Sequence, residues 1–292
     1  MPIIELKDVS KLYGFGDATT IALDEVNLTI EQGEFVAIMG PSGSGKTTLM
    51  NMVGLLDRPT HGTYELGGRH VERMRPNRRA KVRRDTVGFV FQSFNLLPRM
   101  NVLENVALPL AYKGMTQTRR LKRAGVMLEQ VGLADREYFM PAQLSGGQAQ
   151  RVAIARALIT SPKIIIADEP TGNLDSASSL VIMELLNEIH RDGNTILMVT
   201  HNPELTRYAS RVVFMHDGAI VADEKSELGE IPGFIKRRMY SVKIKSQVDD
   251  LKGVNAIMKT VPDKTAKATS RKVTKKPRAK KYKTSTSKKG RS

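Results

Sequence analysis

The stretch GPSGSGKTTLM at residues 40–50 places three glycines and two serines around one lysine, directly after the apolar run EFVAIM at residues 34–39. A short, continuous apolar run is typical of a β-strand that is buried on both faces. Glycines leave backbone N–H groups uncovered, and the N-terminus of a following helix adds positive potential, so such a loop can surround a phosphate group. The stretch therefore predicts a strand, a phosphate-binding loop and a helix in succession.

The loop matches the pattern G-x-x-x-x-G-K-[S/T] from Gly40 to Thr47. We expect the ammonium group of Lys46 to contact the β- and γ-phosphates of a nucleotide, and the hydroxyl of Thr47 to coordinate Mg²⁺. The other residues expected to bind nucleotide here are Gly40, Pro41, Ser42, Gly43, Ser44, Gly45 and Thr48. Kinases, GTPases, helicases and transport ATPases share this loop, so it predicts a P-loop NTPase core and no particular reaction.

Composition limits the class of protein. The chain has 292 residues, of which 40% are hydrophobic, and no cysteine. That length allows one or two domains, and the lack of cysteine excludes disulfides and thiolate zinc sites. No stretch approaches the ~20 consecutive apolar residues of a membrane span, and the first residues lack the apolar core of a secretory signal. We therefore expect a soluble chain that needs no oxidising compartment.

The formal net charge of +16 is concentrated at one end of the sequence. Residues 236–292, the basic tail, hold 20 Lys and Arg against three Asp, whereas residues 1–235 hold 26 Lys and Arg against 27 Asp and Glu. Residues 263–292 contain almost nothing apolar and are expected to be disordered, and residues 226–262 are expected to be a partly ordered extension. The net positive charge is therefore a property of the tail, and residues 1–235 are close to neutral.

Apolar runs and helical patterns alternate along the chain. Further runs suited to buried strands lie at residues 86–92, 163–170, 195–201 and 211–218. Helical patterns at 145–160 and 177–193 fall between them, and this alternation predicts an α/β fold with a mainly parallel sheet. The opening segments, 3–13 and 19–30, instead alternate apolar and polar residues, which predicts a small antiparallel β subdomain. Residues from about 93 to 150 are expected to form a helical subdomain.

Two adjacent carboxylates, Asp168 and Glu169, end the apolar run IIIA at residues 164–167. A buried strand of this kind delivers its last residues to the edge of the sheet where Mg²⁺ is expected. Asp168 suits metal binding, directly or through water. Glu169 is placed to polarise the water that attacks a γ-phosphate, so the pair favours hydrolysis over phosphoryl transfer to an alcohol.

The sequence LSGGQ at residues 144–148 repeats the chemistry of the first loop, because Ser145, Gly146 and Gly147 offer a hydroxyl and free N–H groups at a helix N-terminus. With these motifs in this order, the chain resembles the nucleotide-binding subunit of ATP-binding cassette (ABC) transporters over about residues 2–225. The resemblance implies an ATP-binding domain at 1–225 and a homodimer that encloses two ATP molecules head to tail. Ser145 to Gln148 would then meet the γ-phosphate bound to the other subunit.

The resemblance also assigns roles to single positions. Tyr13 is similar to the aromatic residue that stacks on adenine, and Gln92 to the glutamine that senses Mg²⁺ and the attacking water. Residues 173–175, Asn-Leu-Asp, look like the loop that crosses the dimer interface. His201 is similar to the switch histidine that contacts the γ-phosphate. The implied catalytic groups are therefore Glu169, His201 and Gln92, and the implied Mg²⁺ ligands are Thr47, Gln92 and Asp168.

Two functions are compatible with this resemblance. The first is an ATP-hydrolysing subunit at the cytoplasmic face of a membrane, which drives a separate permease. The segments FNLLPRMNVLENVALPL and EPTGNLDS are most similar to the macrolide-export and lipoprotein-release branch. The second is a soluble ABC ATPase that acts on RNA, DNA or ribosomes through its basic tail. The chain has neither the coiled-coil insertion of repair-type relatives nor a second cassette, which favours the transporter. We expect the tail to bind anionic lipid, with RNA as the rival ligand.

Overall fold

The computed structural model describes residues 1–14, 19–226, 229–233 and 235. Apart from a few residues, the predicted extension at 226–262 lies outside this range, and so does all of the segment at 263–292 that is expected to be disordered. The strands and α-helices of the described residues are β1 Pro2–Tyr13, β2 Thr20–Glu31, β3 Phe35–Met39, α1 Lys46–Val53, β4 His61–Leu66, α2 Pro76–Thr86, β5 Val87–Phe91, α3 Val102–Tyr112, α4 Gln117–Gln130, α5 Gly146–Leu158, β6 Ile164–Asp168, α6 Ser176–Arg191, β7 Thr195–Val199, β8 Arg211–His216 and β9 Ala219–Lys225.

The main sheet has six strands in the order β5-β6-β7-β3-β8-β9. The first five of these strands are parallel to one another, which confirms the predicted α/β fold. β9 is antiparallel to β8 and lies at the edge of the sheet. It was not predicted, because its sequence AIVADEK is partly exposed along its whole length and gives no continuous apolar run.

The two faces of the main sheet are covered by different elements. Along β3, Val36 and Ile38 pack into a cluster with α1 and the smaller sheet. Their neighbours Phe35 and Ala37 point to the opposite face and pack with α6. Successive side chains of a strand point to opposite faces, so a strand buried on both faces must be apolar throughout. Each fully buried aliphatic side chain stabilises the fold by about 1.5–3 kcal/mol.

The smaller sheet has three strands in the order β2-β1-β4, and all of its pairings are antiparallel. Leu6 of β1 lies opposite Leu28 of β2 on one side and Tyr64 of β4 on the other. The buried Tyr64 hydroxyl donates a hydrogen bond of 2.7 Å to the backbone oxygen of Val53, the last residue of α1. This sheet confirms the predicted antiparallel β unit and is tied to the helix that follows the glycine loop.

The chain between β5 and β6 is helical, and its buried side chains form a separate cluster from α3, α4 and α5. α3 begins with a capping box, in which Asn101 accepts from the Glu104 backbone N–H and Glu104 accepts from that of Asn101. The exact division into subdomains, about 93–150 for the helical one, stays a prediction. Within the described residues, no helix combines the length and the apolar character needed to cross a bilayer.

Candidate active site

The glycine loop connects β3 to α1, and its glycines are required by close backbone approaches. At Gly40, with φ of +154°, a Cβ atom would overlap the backbone oxygen of Met215. At Gly45, with φ of +93°, a Cβ would lie 2.5 Å from the backbone oxygen of Ala22. Since L-residues rarely adopt such φ values, both positions favour glycine on two independent grounds. The packing of neighbouring strands thus fixes the shape of the loop.

Lys46, the first residue of α1, folds back over this loop. Its Nζ atom donates to the backbone oxygens of Gly40, at 2.9 Å, and Pro41, at 2.7 Å, and lies 3.4 Å from Oγ of Ser44. Partial burial lowers the pKa of Lys46, while the nearby carboxylates of Asp168 and Glu169 act in the opposite direction. The ammonium group is therefore held at the loop, within electrostatic reach of both acidic side chains.

Asp168 is the last residue of β6, and Glu169 follows it with unusual backbone geometry. Burial raises the pKa of Asp168, the neighbouring Glu169 adds to that effect, and Lys46 opposes it. Glu169 has φ of +44°, a left-handed value that costs a non-glycine residue about 1–3 kcal/mol. Its N–H donates to the oxygen of Val199 at 2.9 Å, and its C=O accepts from the N–H of Gly172 at 3.0 Å. Hydrogen bonds on both sides thus hold the strained residue.

His201 meets Glu169 at the ends of two neighbouring strands. β6 and β7 are adjacent and parallel, with Asp168 opposite Val199, so the residues that follow them emerge side by side. Nδ1 of His201 lies 2.7 Å from Oε1 of Glu169, and the imidazole keeps 69% of its side-chain surface exposed. The structure therefore brings together Lys46, Asp168, Glu169 and His201 from three separate segments.

Gln92 follows β5, the neighbour of β6, and contacts the segment after Glu169. Its Nε2 atom donates to Oδ1 of Asn173 at 3.3 Å, and Nδ2 of Asn173 donates to the backbone oxygen of Gln92 at 3.1 Å. The next turn of chain contains Phe94 and Asn95, both with positive φ, and the guanidinium of Arg156 donates to both of their backbone oxygens. Gln92 thus lies between β5, the 171–175 segment and a turn fixed by α5.

Tyr13, at the end of β1, lies beside the first turn of α1. Its hydroxyl donates to Oδ2 of Asp57 at 2.7 Å, and the Thr48 side chain also contacts it by a hydrogen bond. Nζ of Lys11 lies 4.8 Å from the centre of the ring and 2.7 Å from Oδ1 of Asp57. The hydroxyl of Tyr13 is thus anchored, while 43% of the residue remains exposed.

The LSGGQ residues form the start of α5. Ser145 is the N-cap, and its hydroxyl accepts from the Gln148 N–H at 3.3 Å while the Gln148 side chain accepts from the Ser145 N–H at 2.9 Å. The two glycines have close neighbours, since an added Cβ would lie 3.0 Å from Leu174 at Gly146 and 3.1 Å from Ser178 at Gly147. A hydroxyl that accepts one hydrogen bond still has its own hydrogen to donate. Capping therefore leaves Ser145 able to bind a phosphate oxygen.

The donor groups at the site suit Mg²⁺ bound together with a nucleotide. Within the part of the chain that the structure describes, no cluster of three or more His, Cys, Asp or Glu side chains could hold a metal ion. Thr47 lies exposed in the first turn of α1, and Asp168 is an acidic residue near the loop lysine at the end of β6. Mg²⁺ typically takes one or two protein ligands together with water and phosphate oxygens, which agrees with this sparse donor set.

Two residues that the motifs did not indicate have contacts at the site. Asp57 binds the Tyr13 hydroxyl, yet no sequence spacing relates positions 13 and 57. Gln150 lies fully buried on α5 and donates to the backbone oxygen of Pro170, the residue after Glu169. A glutamine among the apolar positions of a helix was the one available signal for the second.

A glycine loop after the parallel strand β3, a carboxylate pair at the end of β6, which is separated from β3 by β7, and an LSGGQ helix together define a nucleotide-binding cassette. Residues 23–172 match the family model described as ABC transporter. The chain belongs to the ABC transporter family.

Individual relatives and a solved structure agree with this assignment. The uncharacterized ABC transporter ATP-binding protein YvrO of Bacillus subtilis is 50% identical over 226 residues, which are 77% of this chain and 99% of YvrO. The macrolide export ATP-binding/permease protein MacB of Hyphomonas neptunium is 50% identical over 222 residues, which are 76% of this chain and 34% of that relative. The ATP-binding cassette MJ0796, solved as a dimer in a post-hydrolysis state with ADP and Pi, matches with 45% identity and a TM-score of 0.71, over 76% of this chain and 98% of MJ0796.

Proposed function

We propose that this chain is the ATP-hydrolysing subunit of an ABC transporter, which dimerises around two ATP molecules and drives a separate membrane permease. The observation that carries the proposal is the hydrogen bond between Glu169 and His201, within electrostatic reach of Lys46 on a phosphate-binding loop. A carboxylate held by an imidazole at such a position suits activation of water for attack on a phosphate. The solved relative MJ0796 supports the proposal, since it is described with ADP and Pi.

Each group has a distinct task in this mechanism. The loop N–H groups and Lys46 bind the phosphates, while the exposed face of Tyr13 stacks on adenine. Thr47, Asp168 and Gln92 would hold Mg²⁺, which would supply positive charge to offset the charge that develops on the phosphate oxygens. Glu169 accepts the proton of the attacking water, and its hydrogen bond to His201 fixes the orientation of both side chains.

The dimer completes the site. In each chain the LSGGQ residues contact the 173–178 segment, and Ser145 retains a hydrogen-bond donor. We propose that Ser145, Gly146, Gly147 and Gln148 bind the γ-phosphate held by the glycine loop of the second copy. Because a two-fold pair presents the same surfaces twice, two such composite sites would form per dimer. The two solved structures of MJ0796 are both described as dimeric, which supports the proposed pairing of two copies.

A groove of about 830 Å³ offers a docking place for the permease. Its lining comes from α2, β5, α3 and α5 and includes Phe89 and Phe91, whose rings stack with centroids 5.4 Å apart. Phe91 and Asn95, which also line the groove, flank Gln92 in sequence. We propose that a cytoplasmic segment of the permease occupies the groove. Movement of that segment would displace Phe91, and so would move the adjacent residue Gln92. The ATP-binding/permease proteins named MacB show that relatives of this chain combine both parts.

We further propose that the basic tail, residues 236–292, binds anionic lipid and so holds the subunit at the cytoplasmic surface of the membrane. Each Lys or Arg near an anionic surface contributes about 1 kcal/mol. The tail has 20 such residues and three Asp, whereas the preceding 235 residues are nearly neutral. RNA binding through counterion release is the competing explanation for the charge of the tail. A tail that binds RNA would favour the second functional class, a soluble ABC ATPase that acts on RNA, DNA or ribosomes.

The direct test is to purify the full chain and to measure Mg²⁺-dependent phosphate release from ATP over a range of protein concentrations. We expect the activity per subunit to rise with concentration, because the composite sites exist only in the dimer.

The membrane partner is tested by purifying the chain from membranes solubilised in mild detergent. A polytopic membrane protein should purify together with the wild-type chain, and much less of it should purify with Phe89→Asp. Strong stimulation by RNA without a membrane partner would instead support the soluble class.

A further inference from the structure

Gln150 is a polar side chain in the buried face of α5, with 0% of its surface exposed. Its Nε2 atom donates a hydrogen bond of 2.7 Å to the backbone oxygen of Pro170. Its Oε1 atom is buried and has no hydrogen-bond partner among the described residues. The acceptor at Pro170 fixes the orientation of the amide, because the reversed amide would place two oxygens against each other.

An amide that satisfies only one of its two ends is costly in a protein interior. A buried acceptor without a partner loses its hydrogen bonds to water and gains none in return. Most buried acceptors in proteins therefore have a hydrogen-bond partner. A methionine at position 150 would fill a similar volume without an unpaired oxygen. The reason for glutamine at this position must therefore lie in the donor end and its contact with Pro170.

Pro170 follows the strained residue Glu169 directly. Glu169 has φ of +44°, and hydrogen bonds to Val199 and Gly172 hold its own N–H and C=O groups. The bond from Gln150 fixes the next carbonyl along the chain. A left-handed non-glycine residue persists only where its surroundings determine it from several sides, and this third bond comes from a different element, α5.

The same helix carries the LSGGQ residues at its N-terminus, which begins at Gly146, four positions before Gln150. We propose that Gln150 is a positioning residue, which uses its buried amide to hold the Glu169–Pro170 backbone and so aims the Glu169 carboxylate. The inference rests on the proposed role of Glu169 in ATP hydrolysis. It further links, within one subunit, the helix that would meet the partner's ATP to the carboxylate that would act on the subunit's own ATP.

The test compares the full-length wild-type chain with Gln150→Met, and with Val152→Ala as the matched control. Val152 is equally buried on α5 but packs into the hydrophobic cluster of α3, α4 and α5. In Gln150→Met we expect kcat for ATP to fall roughly 10- to 100-fold with KM within about threefold of wild type, because a small misplacement of a catalytic group has effects of this size. Val152→Ala should lower the thermal midpoint at least as much and leave kcat near wild type.

Hydrogen exchange of the nucleotide-free chain gives a second measurement that needs no activity. The amides of Glu169 and Gly172 should be well protected in wild type and should exchange roughly tenfold faster or more in Gln150→Met, with β7 unchanged. Wild-type kcat in Gln150→Met, unchanged exchange at Glu169 and Gly172, or an equal loss of kcat in Val152→Ala would overturn the proposal. If Gln150→Met does not fold, lack of protection at Glu169 and Gly172 in wild type would also overturn it. If wild type hydrolyses no ATP, the proposed function fails, while the exchange result still decides whether Gln150 holds this backbone.

Discussion

Nδ1 of His201 lies 2.7 Å from Oε1 of Glu169, although the two residues are 32 positions apart in sequence. The contact arises because β6 and β7 are neighbouring parallel strands that end at the same edge of the sheet. Each residue follows the strand end by one or two positions. The pairing of this carboxylate with this imidazole is therefore a consequence of strand register.

Replacing Glu169 by Gln should separate ATP binding from hydrolysis. The amide keeps the shape of the side chain but accepts a proton poorly, so we expect turnover to fall about 10²- to 10⁴-fold. The affinity for ATP should stay within a few fold of wild type, because the glycine loop and Lys46 are unchanged. Size-exclusion chromatography with ATP and Mg²⁺ should then show accumulated dimers. Hydrolysis at nearly the wild-type rate would remove Glu169 from the mechanism and give His201 the main role.

Tyr13 should contribute to nucleotide affinity through its exposed ring. Stacking of a base on an aromatic side chain is worth about 1–3 kcal/mol, so Tyr13→Ala should weaken ATP binding roughly 5- to 150-fold. Tyr13→Phe keeps the ring and loses only the hydrogen bonds of the hydroxyl with Asp57 and Thr48, and is expected to bind ATP within a few fold of wild type. Titration calorimetry or a fluorescent ATP analogue would measure both. Equal affinities for Tyr13→Ala and wild type would show that the ring does not contact adenine.

The Asp57 carboxylate should make part of the stability pH-dependent. Burial raises its pKa, but hydrogen bonds from Lys11, Tyr13 and the Arg58 N–H outweigh that effect, so the folded-state pKa lies below the ordinary value. A lowered pKa in the folded state contributes stability above the unfolded pKa, and that stability is lost as the pH falls through the folded value. We therefore expect Asp57→Asn to be less stable than wild type near neutral pH, and the gap to narrow in acid.

Urea unfolding of both proteins at a series of pH values between about 6 and 2.5 would test this, since the unfolded pKa of Asp is about 3.9. Asp8→Asn is a suitable control, because Asp8 contacts Asn27 at the surface through its side chain. A gap between wild type and Asp57→Asn that stays constant over the whole range would contradict the assignment.

The basic tail should bind membranes without taking part in catalysis. A chain that ends at residue 235 is expected to keep wild-type ATPase activity and to lose most of its sedimentation with vesicles that contain phosphatidylserine. Binding of the full chain should weaken steeply as the salt concentration rises, because the attraction is electrostatic. Unchanged vesicle binding after the deletion would exclude the tether. Binding of the full chain to RNA far more tightly than to vesicles at physiological salt would favour the competing explanation.

Local sequence patterns predicted those parts of the fold that depend on residues close together in the sequence. The continuous apolar runs predicted β3 and β5 to β8, and the glycine loop was evident because its function needs a fixed spacing. β4 and β9 were missed, because edge strands with partly exposed residues lack such a pattern. The contacts of Tyr13 with Asp57 and of Gln150 with Pro170 join segments that only the tertiary packing brings together. No spacing rule could have predicted those pairs.

The central claim is that two copies of this chain share each ATP site, and mixing two inactive variants tests it most directly. Lys46→Ala should lose the phosphate contact of its own glycine loop but keep intact LSGGQ residues. Ser145→Arg should still bind ATP at its own glycine loop, but its arginine should prevent its LSGGQ residues from meeting the ATP of the second copy. Each variant should be inactive by itself. If subunits pair at random, half of the dimers in an equimolar mixture are mixed, and each mixed dimer has one intact composite site of two. We predict recovery of about a quarter of wild-type ATPase activity, and a mixture as inactive as its components would contradict the shared-site account.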